Sequence, residues 1–209
     1  MANGKETAQA GLGVLHEIGA FGGLTDGQLL ERFGAGWGAN ASMAFEGLVV
    51  RHGPMVLRVC SSCLDDPHEV QDAFQATFLV LLKKARGLWT RDSLGPWLHQ
   101  VAMRTALCAR ANAARRRKLE RAVADRAAAT AVEDRPRGSE LEAALHAEID
   151  RLPERYRVPI VLCDLEGLTC EEAAHRMGRP VGTIKSWRSR GRDRLRSRLL
   201  GRGFAPAVL

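Results

Sequence analysis

The stretch GLTCEEAAHRMGRPVGTIKSWRSRGRDRLRSRL, from Gly167 to Leu199, restricts this chain more tightly than any other. Thr169 followed three residues later by Glu172 is a capping box, in which each side chain satisfies an amide that the first helical turn leaves without a partner. Ala173, Ala174 and Met177 then supply a small apolar face. Gly178 can adopt the left-handed conformation that ends a helix, and Pro180 suits the first turn of the next, where its missing N–H costs nothing. Two helices joined by a short turn are therefore expected.

The second of these helices carries a distinctive charge. From Arg176 to Arg202 there are nine arginines and Lys185 against a single acid, Asp193, while Ile184, Trp187, Leu195 and Leu199 keep an apolar stripe at helical spacing. A helix anchored on one side and basic on the others suits a major groove flanked by phosphates. The whole chain has 31 basic and 24 acidic residues, a net charge of +7, and its basic excess lies after residue 100. A polyanionic partner fits that balance better than an acidic metabolite does.

The 209 residues, 45% of them hydrophobic, allow one medium domain or two small ones. No segment approaches the roughly 18 apolar residues of a membrane span, and the N-terminus lacks a signal-peptide pattern, so a cytoplasmic protein is expected. Cys60, Cys63, Cys108, Cys163 and Cys170 are odd in number and sit in apolar or helical surroundings, which fits reduced thiols. Cys60 and Cys63 form a CxxC without a second pair or a nearby histidine, and read as buried small residues. Nothing in the sequence calls for a metal, a cofactor or a catalytic centre.

Periodicity places helices along the rest. Residues 1–23 read as a loose leader with a short helical turn around 14–18. Thr25 caps a helix through Leu29, Leu30 and Phe33; after a Gly-rich break a second runs from Ser42 to His52, and Pro54 opens a third. Asp65, Asp66 and Pro67 start a helix to Lys84, with Val70, Phe74, Phe78, Leu81 and Leu82 inward. Another runs from Leu94 to Arg117, with Trp97 and Leu98 inward and a basic end at Arg115, Arg116, Arg117 and Lys118. Pro136 and Gly138 break the chain, and Pro159 predicts a kink or displaced helix start. No strand pattern competes. The expectation is an all-α chain of two small helical domains: leader 1–23, first domain 24–118, flexible linker 119–140, helix-turn-helix domain 141–200 and tail 201–209.

Three motifs in this order resemble the extracytoplasmic-function (ECF) subfamily of sigma-70 factors, particularly the planctomycete-like kind. DDPHEVQDAFQATFLVLLKKA, Asp65 to Ala85, is similar to the helix that docks on the clamp of the RNA polymerase core. GPWLHQVAMRTALCARANAARRRK, Gly95 to Lys118, is similar to the segment that recognises and opens the −10 element. LPERYRVPIVLCDLEGLT with the helix-turn-helix after it resembles the domain that binds the −35 element.

The resemblance implies that Asp72, Gln75, Phe78 and Leu82 contact the clamp of the β' subunit. It places Trp97, Arg104, Arg110, Arg115, Arg116, Arg117 and Lys118 at the −10 element. Arg179, Thr183, Lys185, Ser186 and Arg190 would read −35 bases, and Arg188, Arg192 and Arg194 would hold phosphates. Arg104 and Cys108 stand where Asn and Asp are common. Trp187 and Arg188 are exchanged relative to the usual order, which implies a rotated helix or a weaker phosphate contact. The implied protein is a non-enzymatic monomer that brings polymerase core to promoter DNA, and an anti-sigma partner is common in the family. The alternative is an operator-binding helix-turn-helix regulator independent of polymerase, whose signal-receiving domain would require βαβ alternation.

Overall fold

The computed structural model describes residues 23–36, 38–88, 93–124 and 137–204, and among these every regular element is helical. The first half contains α1 (Asp26–Gly34), α2 (Ala39–Cys63), α3 (Pro67–Lys84) and α4 (Gly95–Ala124). The second contains α5 (Arg137–Asp150), α6 (Glu154–Ile160), α7 (Cys170–Met177) and α8 (Val181–Gly201). The proposed leader, the segment 125–136 and the end of the tail lie outside the described residues.

Local chemistry sets most of these boundaries. Thr25 and Gln28 close a capping box at α1, the Gln28 amide donating to the Thr25 hydroxyl at 3.2 Å and the Thr25 amide to Gln28 Oε1 at 2.9 Å. The Asp66 carboxylate accepts from the His68 amide at 2.8 Å, and Pro67 occupies the first position of α3.

Three sequence expectations are corrected. The break expected between His52 and Pro54 is absent, because α2 runs unbroken through Pro54. Leu48, Met55, Val56, Val59 and Cys60 on both sides are fully or almost fully buried, and Gly53 has no Cβ to clash with the proline ring. Gly138, expected to break the chain, lies in the first turn of α5, where a helix tolerates glycine. Leu82, expected inward, is exposed on α3.

Pro159 lies inside α6, and the backbone widens directly after it into a π-helical turn, Val161–Leu165. This is the expected irregularity, since proline removes one hydrogen bond and disturbs the preceding turn. The π turn matters because it carries Asp164 and leads into Glu166.

One core joins α1 to α4 around Leu29, Leu48, Val56, Val59, Leu81 and Leu98, with Phe33, Phe45, Phe78 and Phe74 touching in sequence at centroid separations of 5.3, 6.4 and 5.1 Å. In the second half, Ile149, Leu152, Tyr156, Ile160, Val161 and Leu195 form one cluster. Leu162, Cys163, Ala173, Ala174 and Ile184 form another. Gly191 lets α8 lie close on α6, since a Cβ there would sit 3.1 Å from Ile160 Cγ1. Cys60 and Cys63 are buried free thiols, and Cys60 is pushed up to about 12 by burial and the neighbouring sulfur, which makes it unreactive.

The two halves also touch. Helix α5 packs against α2 and α4, and Ala147 and Leu165 lean on the first core.

Candidate nucleic-acid and polymerase interfaces

On α3 the sequence-predicted contacts divide by face. Asp72, Gln75 and Leu82 are exposed, whereas Phe78 is only 5% exposed, held between Phe45 and Phe74. Phe78 thus supports the helix from beneath and does not itself present a surface. Leu79, which sequence reasoning missed, is 56% exposed. Positions 72, 75, 79 and 82 follow three- and four-residue steps, so Asp72, Gln75, Leu79 and Leu82 line one outward stripe. Two polar residues followed by two leucines at this spacing suit packing against another helix.

Helix α4 presents its basic end to solvent: Arg104, Arg110, Arg115, Arg116, Arg117 and Lys118 are all exposed. At 100° per residue, Arg104, Arg115 and Lys118 share one face, with Arg104 and Arg115 about 16 Å apart along the axis. Arg110 and Arg117 lie on another. Arg116 reaches back to Glu69 on α3 at 2.9 Å, an exposed pair of small energetic weight. Trp97 is half-buried: one side packs on the first core and the other borders a groove.

The helix-turn-helix forms as its punctuation requires. Thr169 and Glu172 close the capping box, with the Glu172 amide donating to Thr169 Oγ1 at 3.1 Å and the Thr169 amide to Glu172 Oε2 at 2.8 Å. Gly178 ends α7 at φ 58°, a left-handed conformation in which glycine carries no Cβ penalty. Ile184, Gly191, Leu195 and Leu199 face inward.

The remaining faces of α8 do different things. Thr183, Ser186 and Arg190 lie on one edge by helical geometry, Thr183 half-buried and the other two exposed. Arg179 is exposed in the turn before the helix. Lys185 points elsewhere and pairs with Glu171 at 3.2 Å. The Arg188 Nε and Nη2 groups donate to Asp164 Oδ1 at 3.0 and 2.6 Å, and Arg192 Nη2 donates to the same oxygen at 2.5 Å. Arg194 stacks over Tyr156, 4.9 Å from the ring centre. Arg188, Arg192 and Arg194 therefore each make a contact within the domain.

Asp164 is the second residue that sequence reasoning missed. Burial pushes its carboxyl up, but the Arg188 and Arg192 guanidiniums outweigh that and hold it below the usual carboxylate range. Arg188 turns inward to Asp164, and Trp187 packs against both clusters of the second half while bordering the groove.

No cluster of three or more His, Cys, Asp or Glu residues suitable for a metal occurs among the described residues, and no helix among them is long and apolar enough to cross a membrane. The fold is an all-helical one that carries a basic helix-turn-helix and, apart from it, an exposed stripe on α3. A family model for sigma-70 region 2 matches residues 48–116, and one for sigma-70, region 4 matches residues 142–195. The ECF RNA polymerase sigma factor SigE of Mycolicibacterium smegmatis is 31% identical over 170 residues, covering 78% of this chain and 64% of SigE. The ECF RNA polymerase sigma factor SigM of Mycobacterium tuberculosis is 30% identical over 162 residues, covering 76% of this chain and 78% of SigM. A solved structure of CnrH in complex with the cytosolic domain of CnrY overlaps 84% of this chain and 97% of that chain, at 23% identity and a TM-score of 0.40. The chain belongs to the ECF sigma factors of the sigma-70 family, DNA-binding transcription-initiation factors that carry out no catalysis of their own.

Proposed function

We propose that this chain binds the RNA polymerase core through the α3 stripe and directs it to promoters with two separate DNA surfaces. Residues 24–118 form the domain for core and the −10 element, 119–140 the linker, and 141–200 the domain for the −35 element; 1–23 and 201–209 flank them. The clamp of the β' subunit supplies a helical partner for Asp72, Gln75, Leu79 and Leu82. On α4, Arg104, Arg115 and Lys118 track the backbone near the −10 element, with Arg110, Arg116 and Arg117 adding long-range charge and Trp97 at the start of the reading face.

At the −35 element, Thr183, Ser186 and Arg190 read base edges from one side of α8, with Arg179 at its entrance. Arg188, Arg192 and Arg194 set the shape of the reading domain, and Lys185 reaches phosphate once it leaves its exposed partner Glu171. The factor works as a monomer in the cytoplasm beside polymerase, and an anti-sigma partner that covers these surfaces is part of the reading. The narrower likeness to planctomycete-like members rests on the three sequence motifs.

The observation that carries this reading is the occurrence, in one all-helical chain, of an exposed amphipathic docking stripe and a basic helix-turn-helix. Leu79→Ala and Asp72→Ala should each weaken association with core polymerase by about tenfold or more, as central contacts of an interface do. Both sites are exposed, so the circular dichroism spectrum should not change. Unchanged core affinity in both variants would reject the docking surface.

A further inference from the structure

Two of the five thiols meet at the foot of the helix-turn-helix. After the π turn the chain doubles back on itself: the Leu168 amide donates to the Leu162 carbonyl at 2.9 Å, and Cys163 Sγ lies 3.9 Å from the Thr169 carbonyl oxygen. That carbonyl belongs to the peptide link that leads into Cys170, the first residue of α7. Cys163 and Cys170 therefore pack together, in one cluster with Leu162, Ala173, Ala174 and Ile184.

The pair is asymmetric. Cys163 is only 7% exposed, and burial, with Cys170 beside it, pushes its thiol up to about 11. Cys170 is half-buried, and Arg188 Nη1 donates to its sulfur at 3.8 Å. Reactive cysteines sit in partly open surroundings of this kind, beside a cation. A solvent-reachable sulfur thus lies directly against a buried one, which is the arrangement of an attacking and a resolving thiol.

The other cysteines each lack part of this arrangement. Cys60 and Cys63 are closed off from solvent, and Cys63 Sγ turns to Met103 Sδ at 3.8 Å. Cys108 is exposed on α4, with the Asn112 side-chain amide 3.8 Å from its sulfur.

We propose that Cys170 and Cys163 are a peroxide-reactive pair that closes to a disulfide at the foot of the helix-turn-helix, and that closure weakens sequence reading by α8. The Cys170 sulfur attacks a peroxide ROOH, with R hydrogen or alkyl; an S–O bond forms, the O–O bond breaks, and the thiol proton leaves with the second oxygen as ROH. The Cys163 sulfur then displaces hydroxide from the sulfenic acid. The S–S bond forms, the S–O bond breaks, and the Cys163 proton leaves with the hydroxide as water. Two thiols and one peroxide give one disulfide, one ROH and one water, and two electrons pass from sulfur to the peroxide.

The effect on DNA follows from geometry. An S–S bond is about 2.0 Å long, well inside the contact distance of two sulfurs, so closure draws the start of α7 toward the π turn. Cys170 moves off Arg188, whose other anchor, Asp164 at 2.6 Å, is on that same turn. The seat of α8 shifts, and Thr183, Ser186 and Arg190 shift with it. This effect rests on the reading of α8 as the duplex surface; the bond between the sulfurs does not.

The test treats the full reduced chain with hydrogen peroxide, without denaturant, and alkylates the remaining thiols before peptide mapping. The intact chain should lose about 2 Da, in peptides joined at Cys163 and Cys170, with Cys60 and Cys63 still thiols. Cys163→Ser should leave Cys170 as a sulfenic acid that dimedone traps, and Cys170→Ser should leave Cys163 unoxidised. Affinity for duplexes that the reduced chain selects from a random pool should fall by about threefold or more on oxidation of the wild type, and return with dithiothreitol. Neither variant should show that reversible change.

Absence of the Cys163–Cys170 link, or a link that forms only after denaturation, would overturn the pair whatever the variants do. A link with unchanged duplex affinity would overturn its effect on reading. A reduced wild type that selects no duplex would overturn the reading of α8, while the peptide map still decides the pair.

Discussion

Mild acid should destabilise this protein through two histidines at the domain junction. His99 Nε2 and His146 Nδ1 are 3.1 Å apart, both rings are buried, and His99 Nδ1 has no partner. Burial first, and then the charges of His146 and Arg157, lower His99 to about 3; burial and Arg58 lower His146 to about 4. A histidine held neutral in this way contributes stability that is complete above its unfolded pKa and is lost as pH falls toward the folded one. Between about pH 7 and pH 5 the unfolded chain gains a proton at each site and the folded chain does not, a loss of roughly 2 kcal/mol per histidine.

His52 acts in the opposite direction. Burial would lower it, but the hydrogen bonds and charges of Asp26 and Glu166 win and raise it to about 9. Its contribution is fully present below the unfolded value of about 6.5, so the same acidification returns just under ~1 kcal/mol. The net expectation is a loss of about 3 kcal/mol, read by urea denaturation at the two pH values. His146→Gln keeps a polar partner for His99 and removes one titration, so the loss should shrink by roughly two thirds. Stability that is flat or higher at the lower pH, or identical profiles for the two proteins, would refute the reasoning.

Asp164→Asn releases Arg188 and Arg192, so log–log salt plots of duplex binding should steepen by up to about 1.8, while stability drops by about 1–3 kcal/mol; an unchanged slope would show that neither arginine reaches phosphate. Arg115→Ala with Arg104→Ala should make the slope for promoter DNA in the holoenzyme shallower by roughly one to two units, checked by the same titration. Leu195→Ala should cost about 2–5 kcal/mol in thermal or urea melts of the second domain, because Leu195 is 6% exposed within its core. Thr169→Ala removes the hydroxyl that accepts from the Glu172 amide, the side-chain half of the α7 capping box, and should cost about 1 kcal/mol by the same melts.

Sequence made the local grammar legible. The cap at Thr25, the capping box at Thr169, the stop at Gly178 and the disturbance at Pro159 follow from short-range chemistry, and all appear where the residues demand them. Reading failed where tertiary packing outweighed a local rule. Pro54 alone argues for a helix start, yet burial on both sides of it carries α2 through. Leu79 looks like one more core leucine in the run FLVLL, and only its turn on the finished helix shows that it faces out while Phe78 faces in.

Long-range pairing was less accessible still. Arg188 reads as one more basic residue until Asp164, 24 positions earlier, is seen beneath it. Nothing in the spacing of Asp26, His52 and Glu166 announces that they meet, because the acceptor for His52 Nδ1 arrives from the other domain. The faint signal was Gly95, a glycine immediately before a proline and a tryptophan at a helix start, where a side chain from elsewhere needed room.

The most direct test of the central claim is recovery of bacterial RNA polymerase core by the purified chain, followed by run-off transcription from a pool of promoter fragments. The account predicts stable core association and new, sequence-selective transcripts that depend on Leu79 and Arg190. A folded chain that binds duplex DNA but neither holds core nor changes the transcripts would contradict it and favour an operator-binding regulator.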